Sequence, residues 1–260
     1  MHAILDPHHH RLGGSSGEVY LDVLRLIISF FLCKFSNTHH TMATQIQPEA
    51  LLTSLSKAGL LPSLAIPETF KPSVDVSVSF EQKPVVAGNL FRVSEVQNAP
   101  EVTFTPEVCP ITAAGDRPAA LSVLWTCELT KDVNRKTRAS ESTRYTLLLV
   151  DPDAPTPDDP KFAYWRHWVV SGLTPSSKSS SGQALTQYLA PGPKDESKPH
   201  RYLFLVFREP EGGLQAKKDD VGREEFVQRR SFGVKEWVEK WGLSLVGVNW
   251  MLGAGDGWKE

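Results

Sequence analysis

The stretch Tyr145-Thr146-Leu147-Leu148-Leu149-Val150 leads directly into Asp151-Pro152-Asp153-Ala154-Pro155, and the two halves have opposite demands. The first is apolar at nearly every position, the pattern of a strand covered on both faces. The second contains two prolines, which remove two backbone donors and fix two φ angles, so the chain leaving the strand is rigid and continues neither sheet nor helix. The carboxylates of Asp151 and Asp153 are therefore held at a strand end.

Outward from this point the period of two recurs. Tyr202 to Phe207 is a second run apolar on nearly every residue and predicts another central strand. Val74, Val76, Val78 and Phe80 alternate with Asp75, Ser77 and Ser79, and strand-like runs follow at Glu101 to Thr105, Leu121 to Leu129, Trp168 to Leu173, Arg201 to Phe207 and Leu245 to Leu252. The pattern predicts a mainly β core, a sandwich or barrel. Helices are few. One is expected over Gln47 to Ala58, stopped by Gly59. Another is expected from the spacing of Glu224, Phe226 and Val227 with Val234, Trp237, Val238 and Trp241, broken at Gly233, closed by Gly242 and packed on the sandwich. Between the first helix and the strands, Pro62, Pro67 and Pro72 forbid regular helix and predict an extended, surface-crossing connector. Thr130 to Ser142 reads as a hairpin loop and Ser176 to Ser181 as a serine-rich turn.

The bulk composition excludes several classes. The chain has 260 residues with 40% apolar content, enough to fill a core. A formal net charge of −2 without long runs of one sign gives no footprint for nucleic acid. Three widely spaced cysteines, Cys33, Cys109 and Cys127, fit neither a disulfide framework nor a zinc site, which implies a reducing, cytoplasmic setting. The first forty residues differ from the rest. Leu26 to Cys33 is the longest apolar run there, far below the roughly 20 residues that span a bilayer. Residues 1–41 are expected to be a poorly ordered or weakly helical extension, a weak targeting segment being one alternative, and Met42 a credible alternative start; residues 42–260 are expected to form a single domain, without stable membrane insertion and monomeric.

Two further polar segments sit beside rigid residues, Trp165-Arg166-His167-Trp168 and, after Pro191-Gly192-Pro193, Pro199-His200-Arg201-Tyr202. Each residue alone has an ordinary explanation: Asp151 as a turn former, His167 as a satisfied core histidine, His200 as a surface group. Together an aspartate and two histidines could bind an anion, hold a metal at a facial site, or act as an acid–base pair. The sequence carries no Gly-x-Ser-x-Gly, His-Glu-x-x-His or phosphate-loop motif.

Asp151 to Leu173, Gly192-Pro193 and His200-Arg201-Tyr202 resemble the signature of the phosphatidylethanolamine-binding protein family, in two separated blocks and in the right order. The first block runs through Asp159-Pro160-Lys161 to Trp165 and His167; the second continues from Leu203 to Glu209. The similarity spans roughly Pro62 to Leu252. The helix after Met42, with Gly59-Leu60-Leu61-Pro62 and Phe70-Lys71-Pro72-Ser73, further resembles the fungal subgroup typified by the carboxypeptidase Y inhibitor.

The resemblance implies a β-sandwich with Greek-key connections and peripheral helices, and a pocket that accepts a small anion or phospholipid head group. Asp151, His167, His200, Gly192, Pro193 and Tyr202 would bind the ligand, and Asp153, Pro155 and Trp165 would shape the pocket. It implies a cis Ala154–Pro155 bond, no cofactor, no metal and no catalysis, with a serine carboxypeptidase or a kinase as partner; service in fungal secondary-metabolite biosynthesis is an alternative. Asp151 is expected to favour the protonated form of the histidines. Three departures stand out. Arg166 replaces the first of two adjacent histidines and, by strand alternation, should face away from the pocket. Lys194-Asp195-Glu196 changes one rim. With the chain ending at Glu260, a C-terminal helix that borders the pocket in many animal members is not expected, leaving a more open cavity.

Overall fold

In a computed structural model, which describes residues 47–107, 143–175 and 177–260, the polypeptide alternates between two sheets. A three-stranded sheet has the order β2–β1–β4, made of β1 (Val76–Phe80), β2 (Lys83–Pro84) and β4 (Glu101–Phe104). A six-stranded sheet has the order β3–β9–β8–β5–β6–β7, with β3 (Leu90–Arg92), β5 (Tyr145–Asp151), β6 (Trp165–Leu173), β7 (Gln183–Thr186), β8 (His200–Arg208) and β9 (Ser244–Ala254). β3 leaves the small sheet to pair in parallel with β9, β4 returns to β1, and β5 enters the large sheet. The fold is mainly β, as the alternating pattern predicts.

The two apolar runs are the central strands. Successive side chains on a strand point to opposite faces. Leu147 and Leu149 of β5, with Tyr202, Phe204 and Val206 of β8, meet Val76, Val78, Phe80, Val102 and Phe104 of the small sheet. Leu148 and Val150, with Leu203, Leu205 and Phe207, form the other face. That face is covered by Leu51 and Leu55 of α1 (Pro48–Lys57), by Ile66 and Phe70, and by Val234 and Trp237 of a C-terminal helix (Val234–Lys240). Each fully buried side chain of this size stabilises by about 1.5–3 kcal/mol, so both runs need apolar residues at odd and even positions alike. On β9 the extra residue Val246 interrupts the register with β8, and the strand changes face there.

Several expectations need correction. The proline-rich connector is not a surface strap, because Leu60, Ala65, Ile66 and Phe70 are buried in the helix-side core. The C-terminal helical pattern is split into a 3₁₀ turn at Phe226–Arg229 and the helix Val234–Lys240, and Phe226 and Val227 are exposed rather than packed on the sandwich. A four-residue helix, α2 (Lys218–Val221), precedes them, which makes the C-terminal helix α3. β6 begins at Trp165 and β8 at His200, earlier than the periodicity suggests. The sequence reading missed the short strands β2, β3 and β7. Leu121 to Leu129, Thr130 to Ser142 and residues 1–41 lie outside the described residues, as does Ser176. Among the described residues no helix is long and apolar enough to cross a membrane.

Candidate ligand-binding site

Antiparallel pairing places three strand ends side by side. Val150 of β5 lies opposite Leu203 of β8, and Asp151 opposite Trp165 of β6, so the end of β5 and the starts of β6 and β8 share one sheet edge. Asp151, His167 and His200 converge there, all buried. They border a cavity of about 430 Å³, within the range of small-molecule sites.

Asp151 is surrounded by donors. Oδ1 accepts from the Asp153 backbone N–H at 2.7 Å and Oδ2 accepts from His200 Nδ1 at 2.8 Å. Burial, together with Asp151 and Asp153, holds the Tyr202 hydroxyl well above its ordinary pKa. Tyr202 can lie in this position because Gly253 opposes it: a Cβ there would sit 2.5 Å from the ring. The far nitrogen of His200, Nε2, is 3.0 Å from Ser197 Oγ.

Asp151, His200 and Ser197 thus stand in the order of the relay used by acyl-transfer enzymes. Here the serine hydroxyl also donates to the Lys198 carbonyl at 2.9 Å, and the Ser197 N–H, a natural oxyanion donor, is given to the Lys194 carbonyl at 3.1 Å. These bonds orient the His200 imidazole and engage both the hydroxyl and the N–H of Ser197.

His167 is held differently. The pairs Leu149↔Trp168 and Val150↔Arg166 leave His167 as the extra residue of a β-bulge. The bulge, not simple alternation, sets its direction. Its Nδ1 lies 2.7 Å from the Leu189 carbonyl, which can only accept, so Nδ1 carries a proton. Nε2 is buried and has no hydrogen-bond partner among the described residues. Arg229 Nη1 reaches the carbonyls of Arg166, His167 and Gln187, while its Nε donates to Glu224 O. This guanidinium fills the hydrogen-bonding gap that the bulge creates.

Asp151 does favour the protonated form of His167, as expected, but burial outweighs it. Burial lowers its pKa below 6.5, outweighing Asp151 and the Leu189 carbonyl, and the charges of Arg229 and His200 act in the same direction as burial. The neutral ring is the ordinary state near pH 7.

All the predicted residues except Asp153 line the cavity. Asp153 is buried behind it, paired with Arg201: Nε donates to Oδ2 at 2.9 Å and the Arg201 backbone N–H to the same oxygen at 2.7 Å. It anchors the turn rather than shaping the wall. The Ala154–Pro155 bond is cis, as the resemblance implies. Arg166 does face away, donating to the Gly222 and Arg223 carbonyls, and burial with Arg229 nearby pulls its pKa down to about 10. Lys194 and Glu196 are on the rim, backed by Asp195, which accepts from the Gly257 N–H.

Sequence reasoning missed Ser197, Phe162, Phe226 and Arg230. The last forms a cationic lip: its guanidinium lies 4.2 Å over Phe162 and 5.8 Å over Trp165, whose ring is edge-on to Phe226. The helical spacing around Phe226 masked this role. Among the described residues no group of three His, Cys, Asp or Glu side chains is arranged to hold a metal ion.

Sandwich and pocket together define a β protein with a cavity at the edge of a doubly covered sheet. Residues 118–246 match the family model for phosphatidylethanolamine-binding protein, and the chain belongs to that family. The carboxypeptidase Y inhibitor of Saccharomyces cerevisiae is 24% identical over 223 residues, covering 77% of this chain and 93% of the relative. A crystal structure of carboxypeptidase Y inhibitor complexed with its cognate proteinase has the same fold, with TM-score 0.59 and 22% identity, over 83% of this chain and 98% of the other. The phosphatidylethanolamine-binding protein from Plasmodium vivax gives TM-score 0.55 and 20% identity, over 79% of this chain and 97% of the other.

Proposed function

We propose that this protein is a non-catalytic regulator that binds a small anion or phospholipid head group in the Asp151–His167–His200 pocket and inhibits a serine carboxypeptidase. The observation that carries the pocket half is the convergence of oriented imidazoles on one cavity with an aromatic, cationic lip. The rim cations Lys194 and Arg230 suit an anionic head group. The inhibitor half rests on the likeness to the carboxypeptidase Y inhibitor over most of both chains. It is supported by the firm docking of α1, whose Ser54 Oγ accepts from Trp250 Nε1 at 3.1 Å and whose terminal Ala58 carbonyl accepts from Arg201 Nη1 at 2.6 Å. The balanced charge and few cysteines fit a monomer in the cytoplasm.

Titration of a serine carboxypeptidase with the full chain and with a Met42-start chain tests the inhibitor half. Inhibition by both is expected; none by either at micromolar protein removes it and leaves the binding half standing. The non-catalytic part has its own test: a fluorophosphonate should leave Ser197 unlabelled, and a stoichiometric Ser197 adduct lost in His200→Ala overturns it.

A further inference from the structure

The pocket contains an acceptor where an anion site calls for a donor. His167 lines the cavity with Nδ1–H committed to Leu189 O at 2.7 Å, so the neutral ring offers the cavity only the Nε2 lone pair, and that atom is buried without a partner among the described residues. A fully ionised anion gains nothing from a lone pair. A ligand oxygen that still carries a proton does, because it can donate to Nε2 while its other oxygens accept.

The groups around the ring do not supply the missing proton. On β5, the Asp151 carboxylate accepts from the Asp153 N–H and from His200 Nδ1. On β8, the His200 and Tyr202 rings face His167 at 6.3 Å from each other and 5.3 Å from Tyr202 to His167. Behind the bulge, the Arg229 guanidinium opposes a second positive charge on the ring. Lys194, Glu196 and Arg230 stand on the cavity rim. Ligand-free, the balance favours the neutral ring; an anion at Nε2 reverses it by adding a negative charge and an acceptor.

We propose that binding at this pocket is coupled to one proton held between His167 Nε2 and the ligand: an acid that brings the proton, such as a phosphomonoester monoanion, binds without proton uptake, whereas a permanently ionised anion binds only as one proton is taken up. This rests on the anion-site reading above and adds the protonation state that the site selects.

The test uses the full chain, with inorganic phosphate and sulfate as probes, titrated calorimetrically from pH 6 to 8 in buffers of different ionisation heat. Sulfate should bind with uptake of about one proton, its affinity falling about tenfold per pH unit. Phosphate should take up less than one proton at the acid end, where it arrives protonated. In His167→Gln the uptake on sulfate should vanish. Should that variant not fold, ¹⁵N shifts of the wild-type imidazole serve instead, with Nε2 changing from unprotonated to protonated on sulfate addition. Sulfate binding with no proton uptake and an unchanged Nε2 overturns the proposal while leaving the anion site standing. Binding of neither probe overturns both.

Discussion

The two histidines of the pocket flank the same central strand and are held by different means. His200 stands at the regular start of β8 and is tied at both nitrogens, to Asp151 and to Ser197. His167 occupies a bulge on β6 and is tied at one, to a main-chain carbonyl. His200 is tied to a side-chain carboxylate, whereas the main-chain carbonyl that holds His167 raises its pKa less than burial lowers it. The contrast gives one imidazole a set orientation within a polar relay and leaves the other an open lone pair. The difference arises in the backbone: the regular ladder brings β5 and β8 carboxylate and ring together, while the bulge swings His167 to Leu189.

The sharpest way to break this contrast is to remove the group that supports the bulge. Arg229→Ala leaves the carbonyls of Arg166, His167, Gln187 and Glu224 without that donor, and should destabilise the protein by about 3 kcal/mol or more. Urea denaturation measures it, and a loss below about 1 kcal/mol shows that the bulge holds itself. Asp153→Ala, on the other side, strips Arg201 of its carboxylate partner; a loss of about 2 kcal/mol is expected by the same method.

Asp151→Asn should separate the two rings. His200 loses its charged partner and ligand affinity should fall about tenfold. The His167 pKa should drop further, because Asp151 is the main group raising it, and NMR titration of the ring reads that shift. A rise instead means that Asp151 acts on His167 in some other way.

Acid should also tell the rings apart through stability. The folded pKa of His167 is below its ordinary 6.5, so the unfolded chain binds the proton first. Stability therefore rises with pH through this window, and is lost as pH falls from about 6.5 towards the folded value, at up to about 1.4 kcal/mol per pH unit. His167→Gln should flatten that part of the profile. The smallest effect is expected at the rim: Lys194→Ala should weaken anion binding about twofold to fivefold, less at high salt, since an exposed charge contributes little.

The central strands, the helix before Gly59 and the pocket's main residues were legible because each depends on local pattern. Tyr145 to Val150 needs apolar side chains on both faces, and Asp151-Pro152-Asp153-Ala154-Pro155 needs its prolines for rigidity. The bulge at His167 was not legible, since it is a register mismatch between two strands distant in sequence. Alternation put Arg166 and His167 on opposite sides, the right outcome reached without the bulge that produces it. Asp153 was assigned to the pocket by its neighbours in the chain, although its real partner is Arg201, 48 residues away. Burial of His167 is likewise a property of assembled layers, and a pairwise argument from Asp151 missed it. Phe226 and Arg230 were hidden by a helical spacing that the chain does not follow there.

Arg201 carries a consequence beyond the pocket. Its guanidinium holds Asp153, in the turn that supplies Asp151, and at the same time holds the Ala58 carbonyl at the end of α1. One planar group is thus a hinge pin between the N-terminal helix and the binding turn. Loss of Arg201 would therefore break both contacts at once.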